Sequence, residues 1–194
     1  MLNLVLFGAP GSGKGTQSEK IIEKYGLHHI STGEVLRHQI KEGTELGKIA
    51  DSYISKGHLI PDDLMIDILR QELKSLPKES KGVIFDGFPR TIPQDLELEK
   101  LLSENGETLT GVVGLEVPEE ELVARMLKRG AETGRADDNI DTILNRLKVY
   151  HNQTEPLKEH YHKNGAYIQI DGLGHVDNIF SSIVSAIDEK KRQG

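Results

Sequence analysis

Residues 4–17, LVLFGAPGSGKGTQ, restrict this chain more than any other stretch. Leu4, Val5, Leu6 and Phe7 run straight into a turn holding Gly8, Gly11, Gly13 and Gly15, with Lys14 near its far end. Closely spaced glycines let a backbone curl through positive φ, and a curled backbone turns its N–H groups inward around an anion. If a helix opens at Lys14, the positive end of its dipole faces the same anion. Gly8-x-x-x-x-Gly13-Lys14 is therefore read as a phosphate-binding loop between a strand and a helix. Gly15 stands where Ser or Thr usually follows the lysine, and Thr16 comes one place later. Thr16 is thus only a secondary candidate for a metal-side hydroxyl.

The pattern downstream alternates strand and helix. Lys14 to Lys24 reads as a helix closed by Gly26, and Leu27 to Ile30 as a short strand. Ser31-Thr32-Gly33-Glu34 has capping-box spacing and starts a helix toward Lys41. Thr44 caps another, whose apolar face carries Leu46, Ile49, Ala50, Tyr53 and Ile54. A helix with Leu64, Met65, Ile68 and Leu69 follows Pro61-Asp62-Asp63. Gly82 to Asp86 reads as a buried strand, Pro93 to Ser103 as a helix and Gly111 to Val117 as a strand. The next helix, opened by Pro118 and three glutamates, is predicted to end at Lys128-Arg129-Gly130, leaving Ala131 to Asp138 as a polar loop. Asn139 to Lys163 reads as one long helix, Ala166 to Ile170 as the last strand and His175 to Lys190 as the last helix. Five strands separated by helices predict an α/β fold with a five-stranded parallel sheet, and residues 31–60 look like a small helical insertion.

Two kinds of side chain then bear on chemistry. Asp86 ends the apolar run VIFD. In an open parallel sheet ligands sit beyond the carboxyl ends of strands, so this carboxylate is placed to hold the hydration shell of Mg²⁺. The chain has only eight arginines, and Arg37, Arg90, Arg129, Arg135 and Arg146 fall in loops or beside motif-like segments. Lysine carries most of the remaining positive charge, so arginine is reserved for planar, bidentate phosphate contacts. A net charge of −7 argues against a broad nucleic-acid surface. The absence of cysteine excludes disulfides, thiolate zinc and a cysteine nucleophile. With no secretory or membrane-spanning run, the expected location is the cytoplasm.

The segments GAPGSGKGTQ, STGEVLR, KGHLIPDD, FDGFPRTIPQ, LKRG, GRADDN and NRLKVY, in this order over essentially the whole length, resemble the adenylate kinase family in its short-lid form. The resemblance implies a P-loop three-layer fold in one domain, 1–194, with a core of 1–30, 61–127 and 139–194. It adds a monophosphate-binding flap over 31–60 and a short lid over 128–138. The implied reaction is reversible, Mg²⁺-dependent phosphoryl transfer from ATP to AMP giving two ADP, for adenine nucleotide homeostasis. Gly11, Ser12, Gly13, Lys14, Gly15 and Thr16 would wrap the ATP phosphates, with Arg129 and Gly174 also serving ATP. Thr32, Arg37, the backbone of His58, Leu59 and Ile60, and the turn Gly87, Phe88, Pro89 and Arg90 would take AMP, with Gln94 reading its adenine. Arg135 and Arg146 would close over the reacting phosphates. Asp86 would hold magnesium through bound water, with Thr16 the lesser anchor. The longer form's extra lid residues and cysteine-bound zinc have no counterpart here, so no zinc site is expected.

The resemblance further implies ATP, AMP and ADP as substrates. A monomer is expected because closure needs free flaps, and charge and the lack of a long apolar run predict no nucleic acid and no membrane. A UMP/CMP kinase shares the fold and mechanism, but Thr91-x-x-Gln94 after GFPR fits an adenine pocket better. A non-catalytic P-loop nucleotide-binding module is the alternative from another class, and it needs no second phosphate site.

Overall fold

The computed structural model describes residues 1–77 and 79–193; the expected domain end at Gly194 lies outside them. Five strands, β1 (Leu2–Gly8), β2 (His28–Ser31), β3 (Gly82–Asp86), β4 (Gly111–Glu116) and β5 (Tyr167–Asp171), form one sheet in the order β2-β3-β1-β4-β5. Every pairing is parallel, as the alternation of elements predicts. The register aligns the carboxyl ends: Leu6 faces Asp86, Ser31 faces Asp86, Gly8 faces Leu115 and Glu116 faces Asp171. The loops after β1, β2 and β3 therefore leave from one edge of the sheet.

The inner strands β1, β3 and β4 are apolar on both faces because helices cover both. On one face Leu4, Leu6, Ile84, Val113 and Leu115 meet Ile21 of α1 (Lys14–Tyr25) and Ile179, Ile183 and Ile187 of α9 (Val176–Gln193). On the other, Val5, Phe7, Val83, Phe85 and Val112 meet α4 (Asp62–Lys74), α5 (Ile92–Glu104) and α8 (Pro156–Lys163). A smaller cluster joins Ala9 to α6 (Glu119–Thr133) and α7 (Ile140–Val149). Among the described residues no helix is long and apolar enough to cross a membrane.

Residues 31–60 hold two helices between β2 and α4. Ser31 accepts from the Glu34 N–H at the start of α2 (Thr32–Lys41), and Thr44 accepts from the Gly47 N–H at the start of α3 (Glu45–Ile54). Such caps satisfy donors that the first turn leaves open. Gly47 lets the two helices touch, since a Cβ there would lie 2.0 Å from the Gln39 carbonyl oxygen. The insertion returns against α7, where Thr142 Oγ1 donates to the Ser55 carbonyl at 3.3 Å and Asn145 Nδ2 donates to that of Lys56.

Two expected boundaries are corrected. α6 does not stop at Gly130 but runs to Thr133, and Gly134 at φ 67° supplies the left-handed cap. Gly130 serves close packing instead: a Cβ there would stand 2.7 Å from the Asp138 carbonyl oxygen. The long helix over 139–163 is broken by a π-helical turn at Tyr150–Thr154. Pro156 cannot donate to the α-helical ladder, and the Glu155 N–H reaches the Tyr150 carbonyl at 2.9 Å. The break brings Tyr150 onto Phe7, beside Tyr161 and Tyr167, at ring-centre distances of 5.9–6.1 Å.

Candidate active site

The carboxyl edge opens into a cleft of about 980 Å³. The loop after β1 forms its floor. Gly8, Gly11 and Gly13 have φ of 147°, 82° and 98°. Side chains would fit poorly there on space alone: a Cβ on Gly8 would meet Ser12 Oγ at 2.7 Å, and one on Gly11 would meet Met126 Cγ at 2.9 Å. The loop thus wraps tightly while leaning on α6, and α1 begins at Lys14 with Gly13 as its N-cap. Lys14 Nζ donates to the Gly8 and Ala9 carbonyls at 2.8 and 3.0 Å, which folds the ammonium back over the loop. Thr16 lies exposed on the first turn of α1 and also lines the cleft.

Facing the loop, the residues after β3 form the opposite wall. Thr32 Oγ1 and Arg90 Nε both donate to the Gly87 carbonyl, at 3.0 and 2.8 Å. Gln94 Oε1 accepts from the Arg90 N–H at 2.8 Å, while its Nε2 donates to Asp62 Oδ1 at 2.8 Å. Thr91 Oγ1 donates to the same aspartate oxygen at 2.9 Å. This leaves the Gln94 amide one N–H and one lone pair. Arg37, His58, Leu59 and Ile60 line the same end of the cleft, as do Gly87 and Pro89. Phe88 differs from its neighbours, with its ring buried in the core packed below β1 and β3.

Between these walls lies a network that joins three arginines to two aspartates. Arg129 grips Asp138 with Nε at 2.6 Å and Nη2 at 2.8 Å. Arg135 grips Asp137 in the same bidentate way, at 2.6 and 2.9 Å. Arg146 Nη1 reaches both, at 2.9 Å from Asp138 Oδ1 and 3.2 Å from Asp137 Oδ2. Burial disfavours charge on Asp137, yet Arg135 and Arg146 hold its carboxyl below the ordinary range.

The cations outnumber these carboxylates, and the ionisation of the cleft reflects it. Burial, opposed by Asp86 but reinforced by Arg90, Arg146 and Arg129, lowers Lys14 to about 8. Burial and the nearby Arg135 and Arg90 lower Arg146 to about 10, against the pull of Asp137 and Asp138. A chain of net charge −7 thus encloses a strongly positive cleft, and an anion entering it relieves repulsion among cations already held together. Asp86 sits on this floor with its side chain 14% exposed. Burial opposes its charge, but His29, Lys14 and Arg90 hold the carboxyl below its ordinary range. An ionised oxygen donor next to a phosphate loop suits a hard, water-carrying cation such as Mg²⁺.

The family model described as adenylate kinase matches residues 6–166, which include the loop, both walls and the arginine network. The chain belongs to the adenylate kinase family. Curated relatives agree over nearly full lengths. An adenylate kinase of Bacteroides fragilis is 61% identical over 97% of this chain and 99% of its own. One from Phocaeicola vulgatus is 60% identical over 97% of this chain and 100% of its own. One from Porphyromonas gingivalis is 47% identical over 99% and 98%.

Within this adenylate kinase fold, some cleft residues escaped the sequence reading. Asp137 and Asp138 lay inside a quoted segment, yet nothing in one sequence showed that they would face Arg129 and Arg146. Arg125 is a cleft residue that the motifs do not single out. It lies one turn before Arg129 on α6, and its Nη2 donates to the Gly172 carbonyl at 3.0 Å while Nη1 reaches that of Ser12 at 3.5 Å. The i, i+4 spacing of Arg125 and Arg129 was the available signal. Gly174, at φ 101°, lines this end of the cleft next to Val176, whose carbonyl accepts from Gln17 Nε2 at 3.0 Å.

Proposed function

We propose that this chain catalyses reversible, Mg²⁺-dependent phosphoryl transfer between ATP and AMP, yielding two ADP. The observation that carries this reading is one cleft with two anion-binding walls, the glycine loop and the Gly87–Arg90 turn, bridged by Arg129, Arg135 and Arg146. Relatives named adenylate kinase, matched over nearly their full lengths, support it.

In this assignment Gly11 to Thr16, Arg129 and Gly174 take ATP. Thr32, Arg37, residues 58–60, the Gly87–Arg90 turn and Gln94 take AMP, and Arg135 and Arg146 span the reacting phosphates. The attacking AMP oxygen is already ionised, so no side chain has to remove a proton. The main barrier is the approach of two anions. One pair of unit charges 4 Å apart costs about 4 kcal/mol at an effective dielectric of 20, and several such pairs act together. Lys14 and the arginines oppose that repulsion and stabilise charge spread over the transferring group. Asp86, through bound water, and Thr16, less directly, would hold Mg²⁺, which would supply further positive charge to the phosphates.

Closure of residues 31–60 and 128–138 over the cleft would exclude water and so prevent hydrolysis. The contacts from Ser55 and Lys56 to α7 set residues 31–60 against the helix that carries Arg146. Free flaps also favour a monomer, and the nucleotides are those of the cytoplasmic pool.

A UMP/CMP kinase is the second reading. The Gln94 amide, with one donor and one acceptor left, can pair with the N–H and ring nitrogen of adenine. Cytosine offers the same pair, so the choice of adenine rests on the relatives named adenylate kinase. Measuring initial rates with ATP and each of AMP, CMP and UMP tests both. AMP should be preferred by kcat/KM at least about tenfold, and a pyrimidine preference would overturn the assignment.

A further inference from the structure

Away from the cleft, α5 and α8 meet at a cluster that phosphoryl transfer does not use. Asp95 and Glu99 stand one turn apart on α5, and His160 faces them from α8. One ligand atom from each lies within 4.8 Å of the others. Asp95 is 1% exposed, and its Oδ1 accepts from Tyr161 Oη at 2.6 Å. Its Oδ2 is buried with no hydrogen-bond donor. The group opposite it is His160 Nε2, 3.2 Å away. With the ring protonated on Nδ1, His160 Nε2 accepts from Asn164 Nδ2 at 3.2 Å and offers its lone pair toward the cluster. In that tautomer two acceptors face each other beside a second carboxylate, an arrangement that suits a cation.

We propose that Asp95, Glu99 and His160 bind a divalent transition-metal ion of the zinc class. Zinc takes imidazole nitrogen and carboxylate oxygen at about 2.0–2.2 Å in tetrahedral geometry, which puts neighbouring donor atoms about 3.3–3.5 Å apart. The observed 3.2 Å between Asp95 Oδ2 and His160 Nε2 matches that edge. Glu99 is exposed and completes the third position by turning inward. Asn164 is exposed as well, so its amide can give up His160 to the metal and turn to water. A neighbouring cavity of about 290 Å³, lined in part by Glu99, Tyr161 and Asn164, leaves room for a water as fourth ligand. The expectation of no zinc site rested on the absence of thiols, and this donor set needs none. The ion would tie α8 to the first turns of α5, one residue beyond Gln94.

The test is equilibrium dialysis of the full chain against Zn²⁺ without nucleotide, paired with Co²⁺ absorption spectra. One zinc per chain is expected, with the intense d–d bands of tetrahedral cobalt and no thiolate charge-transfer band. His160→Ala and Glu99→Gln, both at partly or fully exposed side chains, should each weaken zinc binding at least about tenfold, since even residues behind metal ligands cost that much. His151→Ala should leave it unchanged, although His151 also sits between carboxylates on the surface. Absence of stoichiometric binding, or zinc retained in His160→Ala, or zinc lost in His151→Ala, overturns the proposal. Circular dichroism of each variant separates loss of the ion from loss of the fold.

Discussion

Asp138 receives Arg129 through two parallel hydrogen bonds, 2.6 and 2.8 Å long, with its own side chain completely enclosed. The same carboxylate takes Arg146 at 2.9 Å. A planar fork on a buried carboxylate is fixed in direction as well as position, so Asp138 orients two of the arginines that line the cleft. Asp138→Ala should therefore lower kcat about a hundredfold, the scale for misplacing a catalytic group by about 1 Å. Steady-state kinetics with saturating ATP and AMP checks this, and a kcat within twofold of the parent would refute it.

Gly130 tests the same geometry from the backbone. Inside a helix, Gly→Ala ordinarily adds about 1 kcal/mol of stability. Here the new methyl would stand 2.7 Å from the Asp138 carbonyl oxygen and 2.9 Å from its Cβ. Gly130→Ala should reduce kcat without raising the melting temperature. A more stable, fully active variant would contradict the packing role.

Lys14→Met removes the ammonium that lies over the loop carbonyls. Turnover should fall at least about a thousandfold, the upper range for one transition-state donor. The thermal melt should change little, because burial already disfavours this charge. Substantial residual turnover would count against its place at the transferring group.

On the opposite wall, Arg90→Ala should raise the KM for AMP far more than that for ATP. Gln94→Ala should narrow the preference for AMP over CMP. Equal shifts in both KM values, or unaltered base preference, would break the assignment of this wall to AMP.

His151 bridges Glu119 and Glu155 at 2.9 and 2.8 Å, and these carboxylates raise its affinity for a proton. A raised native pKa stabilises the fold below the unfolded value of about 6.5, and the gain is lost as pH rises through the native value. With the imidazole 44% exposed, the effect should stay below about 1 kcal/mol. Denaturation of His151→Ala should show a deficit at pH 5.5 that vanishes by pH 9. A deficit independent of pH would point to packing instead.

Much of the fold was legible because its signals are local. The run Val83-Ile84-Phe85 between Gly82 and Asp86, and the capping residues Ser31 and Thr44, state their structure within a few positions. The boundaries that were misread depend on distant contacts. Gly130 resembles a helix stop until Asp138 is seen pressed against it, and the π-helical turn at Tyr150 makes sense only with Phe7 beneath its ring. Arg125 could not be told from a solvated charge until the Gly172 carbonyl stood beside it.

The loop from Gly8 to Thr16, the alternation of strand and helix and the order of its motifs were determined by the sequence, because glycine conformation, apolar periodicity and capping act over a few residues. The pairing of Arg129, Arg135 and Arg146 with Asp137 and Asp138, and the meeting of Asp95 with His160, were decided by the tertiary structure. Their energies depend on burial and on distances of about 3 Å between groups far apart along the chain, and those exist only once the helices have packed.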